Sequence, residues 1–273
     1  MIPAAPVPYE TLTGFTGAED FAFDSQGNYV AIDGNSNLVR ITKQGVKTLW
    51  IPNVPQGTAG VVALPDDSVV ICDVQNGSLK RAFPGSTSLM TLIGGLQYPN
   101  GIDVGPDGFI YVAEDSGNRV RRVHPDTGVS TIVANMSHPN GIAFTDDATV
   151  MYVGSYNNGL IYKVEQPVPG QPGTVTTFVQ PNQFEGGGID GIGVDKCGHI
   201  YASEYVSGNV YRITPDAQVT LIAETGSNWI PNIKWGRGVG GFETNVMYVA
   251  DRDQGRLFGV AVNVEGVTEF FDL

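Results

Sequence analysis

Residues Asn100–Asp115 read NGIDVGPDGFIYVAED. A short strand breaks at Pro106-Asp107-Gly108 and resumes in the apolar run Phe109–Ala113, the pattern of a β-hairpin. The pattern occurs five more times: EDFAFDSQGNYVAID from Glu19, AGVVALPDDSVVICD from Ala59, NGIAFTDDATVMYVGSY from Asn140, DGIGVDKCGHIYASEY from Asp190 and NIKWGRGVGGFETNVMYVAD from Asn232. The openings are 40, 41, 40, 50 and 42 residues apart. Beyond each hairpin comes a polar loop such as Asp115–Asn118, a third strand such as Arg119–Val123, a Pro-Asp turn and a fourth strand such as Val129–Val133. Four antiparallel strands per repeat of about 40 residues mark a propeller blade. The sequence therefore predicts an all-β chain, a six-bladed β-propeller spanning 1–273 as one domain, with blades opening near 19, 59, 100, 140, 190 and 232. The one long step is explained by Gln166–Thr174 (QPVPGQPGT), whose three prolines and two glycines make a surface loop. Tyr9–Phe15 and Val267–Leu273 both read as outer strands, and the pattern leaves open which of them completes the last blade.

Composition narrows the function classes. The chain has 28 Asp+Glu against 15 Lys+Arg, a net charge of −13, so nucleic acid and anionic membranes are disfavoured partners while cations are favoured. Charged residues are only 16% of the chain, and 36 of its 273 residues are glycine, as expected of short strands and many tight turns. The opening MIPAAPVPYE has neither a basic segment nor an apolar core of the secretory type, and no apolar run is long enough to span a bilayer, so a cytoplasmic location and a monomer are expected. Cys72 and Cys197 lack metal or redox spacing. Gly236, Gly238 and Gly241 fit G-x-G-x-x-G but lie between two strands with no helix after them, and no G-x-S-x-G is present.

The first strand of a propeller blade lies beside the central channel, so the residues opening the six blades form a ring at one mouth: Glu19, Ala59, Asn100, Asn140, Asp190 and Asn232. Five of these six carry side-chain oxygen. Two carboxylates and three carboxamides converging on one channel repel or go unsatisfied unless a cation joins them. Hard oxygen donors without imidazole or thiolate suit calcium, magnesium or manganese, and the mixture of carboxamide and carboxylate suits calcium best. The loops that follow each second strand should reach the same mouth, bringing Asp33, Asp73, Glu114, Tyr156, Glu204 and Asp251, while Tyr98, His138 and Phe184 enter from the loops before blades three, four and five. His138, two residues before Asn140, reads either as a proton carrier behind the ligands or as a polar loop residue.

The PNGI segments at Pro99–Ile102 and Pro139–Ile142, IDGIGVD at Ile189–Asp195, and Gly17-Ala18-Glu19-Asp20 resemble the regucalcin (senescence marker protein) and gluconolactonase superfamily, and more distantly diisopropyl fluorophosphatase and the paraoxonases. The resemblance implies that Glu19, Asn140 and Asp190 are metal ligands and that Asn100 binds the metal or the substrate beside it. It implies for Asp20 the role of a ligand to a second, structural calcium. Ala59-Gly60 stands where paraoxonases carry a histidine, which excludes a base of that type there. The implied activity is calcium-dependent hydrolysis of lactones or related esters, with the metal polarising the carbonyl and Asp190 as base or nucleophile. Asn100, Tyr98, Tyr156, Phe184, Glu114 and Glu204 are then expected to bind substrate. A phosphotriesterase, a lyase or isomerase on the same metal, and a non-catalytic propeller plugged by calcium are the alternatives.

Overall fold

The computed structural model describes residues 2–166, 168, 171–181 and 188–267, and those residues form six four-stranded antiparallel sheets and no helix. Blade one runs through Phe21–Phe23, Tyr29–Ile32, Leu38–Ile41 and Lys47–Ile51, each strand hydrogen-bonded to the next. Blades two to five repeat this order from Thr58–Ala63, Pro99–Val104, Pro139–Phe144 and Ile189–Val194. The sixth sheet is built differently. Ile233–Trp235, Met247–Asp251 and Arg256–Val260 are completed by Tyr9–Leu12 from the other end of the chain, Tyr9 pairing with Val260 and Leu12 with Leu257. The N-terminal run thus closes the ring. Residues 268–273 of the other candidate strand lie outside the described residues, while Gly266 bridges to Asp195. In the 166–174 stretch, Gln166 is buried and Val168 exposed, and the loop joins the third and fourth strands of blade four. With no helix present, none is long and apolar enough to cross a membrane among the described residues.

Burial falls from the channel outward. The second strands VVICD (Val69–Asp73), IYVAE (Ile110–Glu114), IYASE (Ile200–Glu204) and MYVAD (Met247–Asp251) are buried at every position, whereas the outermost strands expose Leu49, Met90, Ile132 and Leu221. Among the described residues the core is divided into six apolar clusters, each between two neighbouring blades. Val62, Leu64, Val70 and Cys72 of blade two, for example, pack on Ile102, Val104, Ile110 and Val112 of blade three. A blade buried on both faces needs apolar residues on both, so its inner strands read as continuous apolar runs rather than alternating ones.

A repeated irregularity aims the blade-opening residues into the channel. In blades two to five the pairing of first and second strands shifts by one residue, so that Ala59-Gly60, Asn100-Gly101, Asn140-Gly141 and Asp190-Gly191 each oppose a single residue of the partner strand. These are β-bulges, which bend the strand and redirect side chains. The glycine of each bulge is required by close approach. A Cβ on Gly60 would lie 2.3 Å from the Asn100 carbonyl oxygen, one on Gly101 2.1 Å from that of Asn140, one on Gly141 2.2 Å from that of Asp190, and one on Gly191 2.5 Å from the Asn232 Cα. Each blade's bulge therefore packs directly against the backbone that carries the next blade's candidate ligand.

Candidate metal and substrate site

Glu19, Asn100, Asn140 and Asp190, from blades one, three, four and five, line one cavity of about 340 Å³ at the channel mouth. Tyr98, Asp115, Tyr156, Asn157, Tyr205 and Arg252 complete its wall. The same four oxygen-bearing residues also border a smaller space deeper in the channel, with Asp20, Asn232 and Lys234. Asp190 is only 4% exposed, and its carboxylate makes no side-chain hydrogen bond among the described residues. Burial, then the charges of Glu19 and Asp20, push its carboxyl well above the usual carboxylate range. Burial also raises Glu19, and the Arg252 guanidinium paired with it works in the opposite direction.

The donor set is what a hard divalent cation requires. Two carboxylates and two carboxamides converge, and one of the acids has no hydrogen-bond donor among the described residues. Among the described residues there is no cluster of three or more His, Cys, Asp or Glu side chains able to hold a metal, so a cation here would draw on the carboxamides as well. Asp20 is held by donors of the protein itself. Its Oδ1 accepts from the Phe21 N–H at 2.6 Å and from Asn232 Nδ2, its Oδ2 accepts from the Val61 N–H at 2.8 Å, and the Lys234 charge acts on it as well. Burial still lifts its carboxyl to about 6. These donors and the nearby Lys234 charge surround the carboxylate for which the resemblance implies a structural calcium. Asn232, the sixth ring residue, is committed to the same cluster, its Oδ1 accepting from the Ile233 N–H at 2.7 Å.

Other expected lining residues are placed elsewhere. Glu114 and Glu204 do not reach the cavity. Glu114 accepts from Arg119 at 2.8 and 2.7 Å, from Arg121 at 2.7 Å and from the Gln97 N–H at 2.8 Å. Glu204 accepts from Ser207 at 2.5 Å, Asn209 at 3.2 Å and Tyr211 at 3.1 Å. Asp33, Asp73 and Asp251 play the same part in their blades, binding Asn35 and Asn37, Asn76, and Ser227 and Arg256. An acid ending the second strand thus clamps the turn into the third. The residue one place further on projects to the mouth instead: Asp115, Tyr156, Tyr205 and Arg252 occupy that position in blades three to six. Tyr156 was placed correctly because blade four has Ser155 where its neighbours carry the clamping acid. The one-residue offset, repeated through Glu-Asp, Ser-Tyr, Glu-Tyr and Asp-Arg, is the signal by which the other three could have been found.

His138 stands behind the wall rather than in it, its Nδ1 2.9 Å from Oδ1 of Asp115, which does line the cavity. Tyr98 lines the cavity from a left-handed backbone position, φ 57°. Phe184 lies outside the described residues. Trp229 stacks on Tyr205 with ring centroids 6.5 Å apart, whereas Trp235 borders a separate cavity at the opposite end of the channel.

Comparison with known proteins agrees with this fold. The chain is 25% identical over 140 residues to the 6-deoxy-6-sulfogluconolactonase of Pseudomonas putida, a match covering 46% of this chain and 47% of that protein, so it spans about half the length of that relative. In fold it is similar to the calcium-binding protein regucalcin of Agrobacterium tumefaciens, with a TM-score of 0.78 at 18% identity over 100% of both chains. It is similar also to a gluconolactonase of Xanthomonas campestris, with a TM-score of 0.76 at 19% identity over 96% of this chain and 91% of that one. The profile described as SMP-30/Gluconolactonase/LRE-like region matches residues 111–252, more than half of the sequence, and the chain belongs to that family.

Proposed function

We propose that this protein is a divalent-metal-dependent lactonase, acting on lactones of about monosaccharide size, with calcium as the metal. The observation that carries the reading is the convergence of Glu19, Asn100, Asn140 and Asp190 on one cavity, with the Asp190 carboxylate buried and without a side-chain hydrogen bond among the described residues. The regucalcin neighbour is described as calcium-binding and the curated relative is named as a lactonase, which supports the same reading.

Glu19, Asn140 and Asp190, with Asn100, would hold the cation, which when bound supplies Lewis-acid polarisation of the lactone carbonyl and positive charge beside the developing oxyanion. Asp190 is the general base. Burial and the neighbouring charges of Glu19 and Asp20 raise its affinity for protons. It takes one proton from the attacking water as the new C–O bond forms, and gives that proton to the ring oxygen as the lactone C–O bond breaks, so the product is the open hydroxy acid. Tyr98, Tyr156 and Tyr205 give the cavity an aromatic wall against which a ring can lie. His138 acts through Asp115, fixing the orientation of that carboxylate at the cavity edge.

The test is turnover of aldonolactones, γ- and δ-alkyl lactones and dihydrocoumarin by chelator-treated protein, with and without added calcium. Calcium-restored turnover that falls at least about 100-fold in Asp190→Asn is expected. Turnover that is indifferent to chelation, or full activity in Asp190→Asn, overturns the reading.

A further inference from the structure

Arg252 has no counterpart in the chemistry derived so far, yet it sits on the cavity wall beside the two candidate ligand carboxylates. Its Nη1 pairs with Glu19 and donates to the Tyr205 hydroxyl at 2.8 Å. The Tyr205 ring is itself fixed, stacked on Trp229 with an interplanar angle of 14° and met edge-on by Tyr156 at 5.8 Å. The guanidinium is therefore held in place by an acid and by a packed hydroxyl. Those contacts use one nitrogen. Nε and Nη2 carry three further N–H donors, none of them hydrogen-bonded among the described residues, on a side chain that is 43% exposed.

The charges at the mouth indicate what those donors face. Glu19 and Asp190 carry two negative charges when ionised, and a divalent cation bound between them would balance both. Asp115, the other carboxylate of the cavity, is already paired with His138 at 2.9 Å. With a cation between Glu19 and Asp190, the Arg252 guanidinium is no longer needed to offset Glu19, so the loaded mouth presents a positive group on one side although the chain as a whole is at −13. A lysine would neutralise Glu19 equally well. A planar fork with donors to spare is suited to an oxyacid group, which it can bind in two-pronged fashion.

We propose that Arg252, held by Glu19 and Tyr205, is a specificity-determining residue that recognises a carboxylate or sulfonate carried on the sugar-sized ring of the ligand. The proposal rests on the reading of this mouth as a metal-loaded ligand site and names the substrate class that the site prefers. Tyr205 is the positioning residue behind it.

Two matched pairs of probes test it, each pair differing only in a carboxylate against a hydroxymethyl group. The first is the binding of methyl β-D-glucuronide and methyl β-D-glucoside, measured by calorimetry at calcium concentrations saturating each variant. The second is kcat/KM for D-glucaro-1,4-lactone and D-glucono-1,4-lactone. The wild-type protein is expected to favour the anionic member of each pair by about 10- to 100-fold, the range of a charged hydrogen-bonded contact. Arg252→Met should abolish that preference, bringing the two members of each pair to within about 3-fold of one another. Arg252→Lys should keep part of it, and Tyr205→Phe should weaken it by a few-fold. Equal affinity of the wild-type protein for the two glycosides overturns the proposal, as does a preference that survives in Arg252→Met. If neither lactone is turned over but the glucuronide preference is present and lost in Arg252→Met, the catalytic reading fails while the anion subsite stands.

Discussion

Adding one methyl group at Gly141 tests whether the bulge glycines set the geometry of the site. The Cβ of Gly141→Ala would lie 2.2 Å from the Asp190 carbonyl oxygen and 2.8 Å from the Ile192 amide nitrogen. Both are backbone atoms, so no rotamer change relieves the clash. Ordinary contact begins near 3.4 Å, so blades four and five must part by more than about 1 Å where they meet. Overpacking of this kind costs about 1–3 kcal/mol, which at about 2–4 °C per kcal/mol for a chain near this size lowers Tm by about 2–12 °C. The functional effect should be larger, because Asn140 precedes Gly141 on one bulge and Asp190 opens the next. A misplacement of about 1 Å between groups that must act together costs on the order of 100-fold in rate. Gly94 serves as the control, being exposed on an outer strand where an added Cβ meets nothing within 4 Å. Thermal melts, calcium titration by calorimetry and lactone turnover should therefore separate Gly141→Ala from Gly94→Ala, which stays close to wild type. A Gly141→Ala protein that melts within about 1 °C of wild type and binds calcium with unaltered affinity would refute the argument.

The pH dependence has a defined sign. Burial raises the carboxyls of Glu19, Asp20, Asp103 and Asp190, so each stabilises the fold while protonated and ceases to do so as pH rises through its folded value. For Asp20, raised from 3.8 to about 6, this amounts to a loss of about 3 kcal/mol between about pH 4 and pH 7 in chelator-treated protein. Chemical denaturation across that range should show a loss smaller by about 3 kcal/mol in Asp20→Asn than in wild type, the remainder coming from Glu19, Asp103 and Asp190. Calcium affinity should move the other way, rising with pH as the cation ceases to compete with protons on Asp190. Glu114→Ala leaves Arg119 and Arg121 without their buried acceptor and should cost about 3–5 kcal/mol by denaturant titration, with calcium affinity unchanged because Glu114 does not reach the mouth. Lys196→Met breaks a half-exposed pair with Glu265 and should leave the denaturation midpoint close to that of wild type.

The repeat made the architecture legible, because each blade's turn chemistry and apolar strands are local properties of about 40 residues, and six copies reinforce one another. It also placed Glu19, Asn100, Asn140 and Asp190 at the mouth, since equivalent positions in a closed ring of blades must converge. The reason for the glycine beside each of them was not legible. It lies in the backbone of the next blade, which the sequence does not place against it. Glu114 and Glu204 were misassigned because runs such as IYVAE and IYASE are apolar on both faces, and without alternation nothing tells to which side the final residue points. Arg252 was missed because its partner, Glu19, belongs to the blade on the far side of the ring closure, 233 positions earlier in the chain. The last blade was ambiguous for a similar reason. Tyr9–Leu12 is mostly exposed, as outer strands are, and its place follows from its pairing with Arg256–Val260 at the opposite end of the chain. Composition and period thus determined the blades and their inward positions, while the contacts between blades, which join residues far apart in sequence, decided which side chains share the mouth.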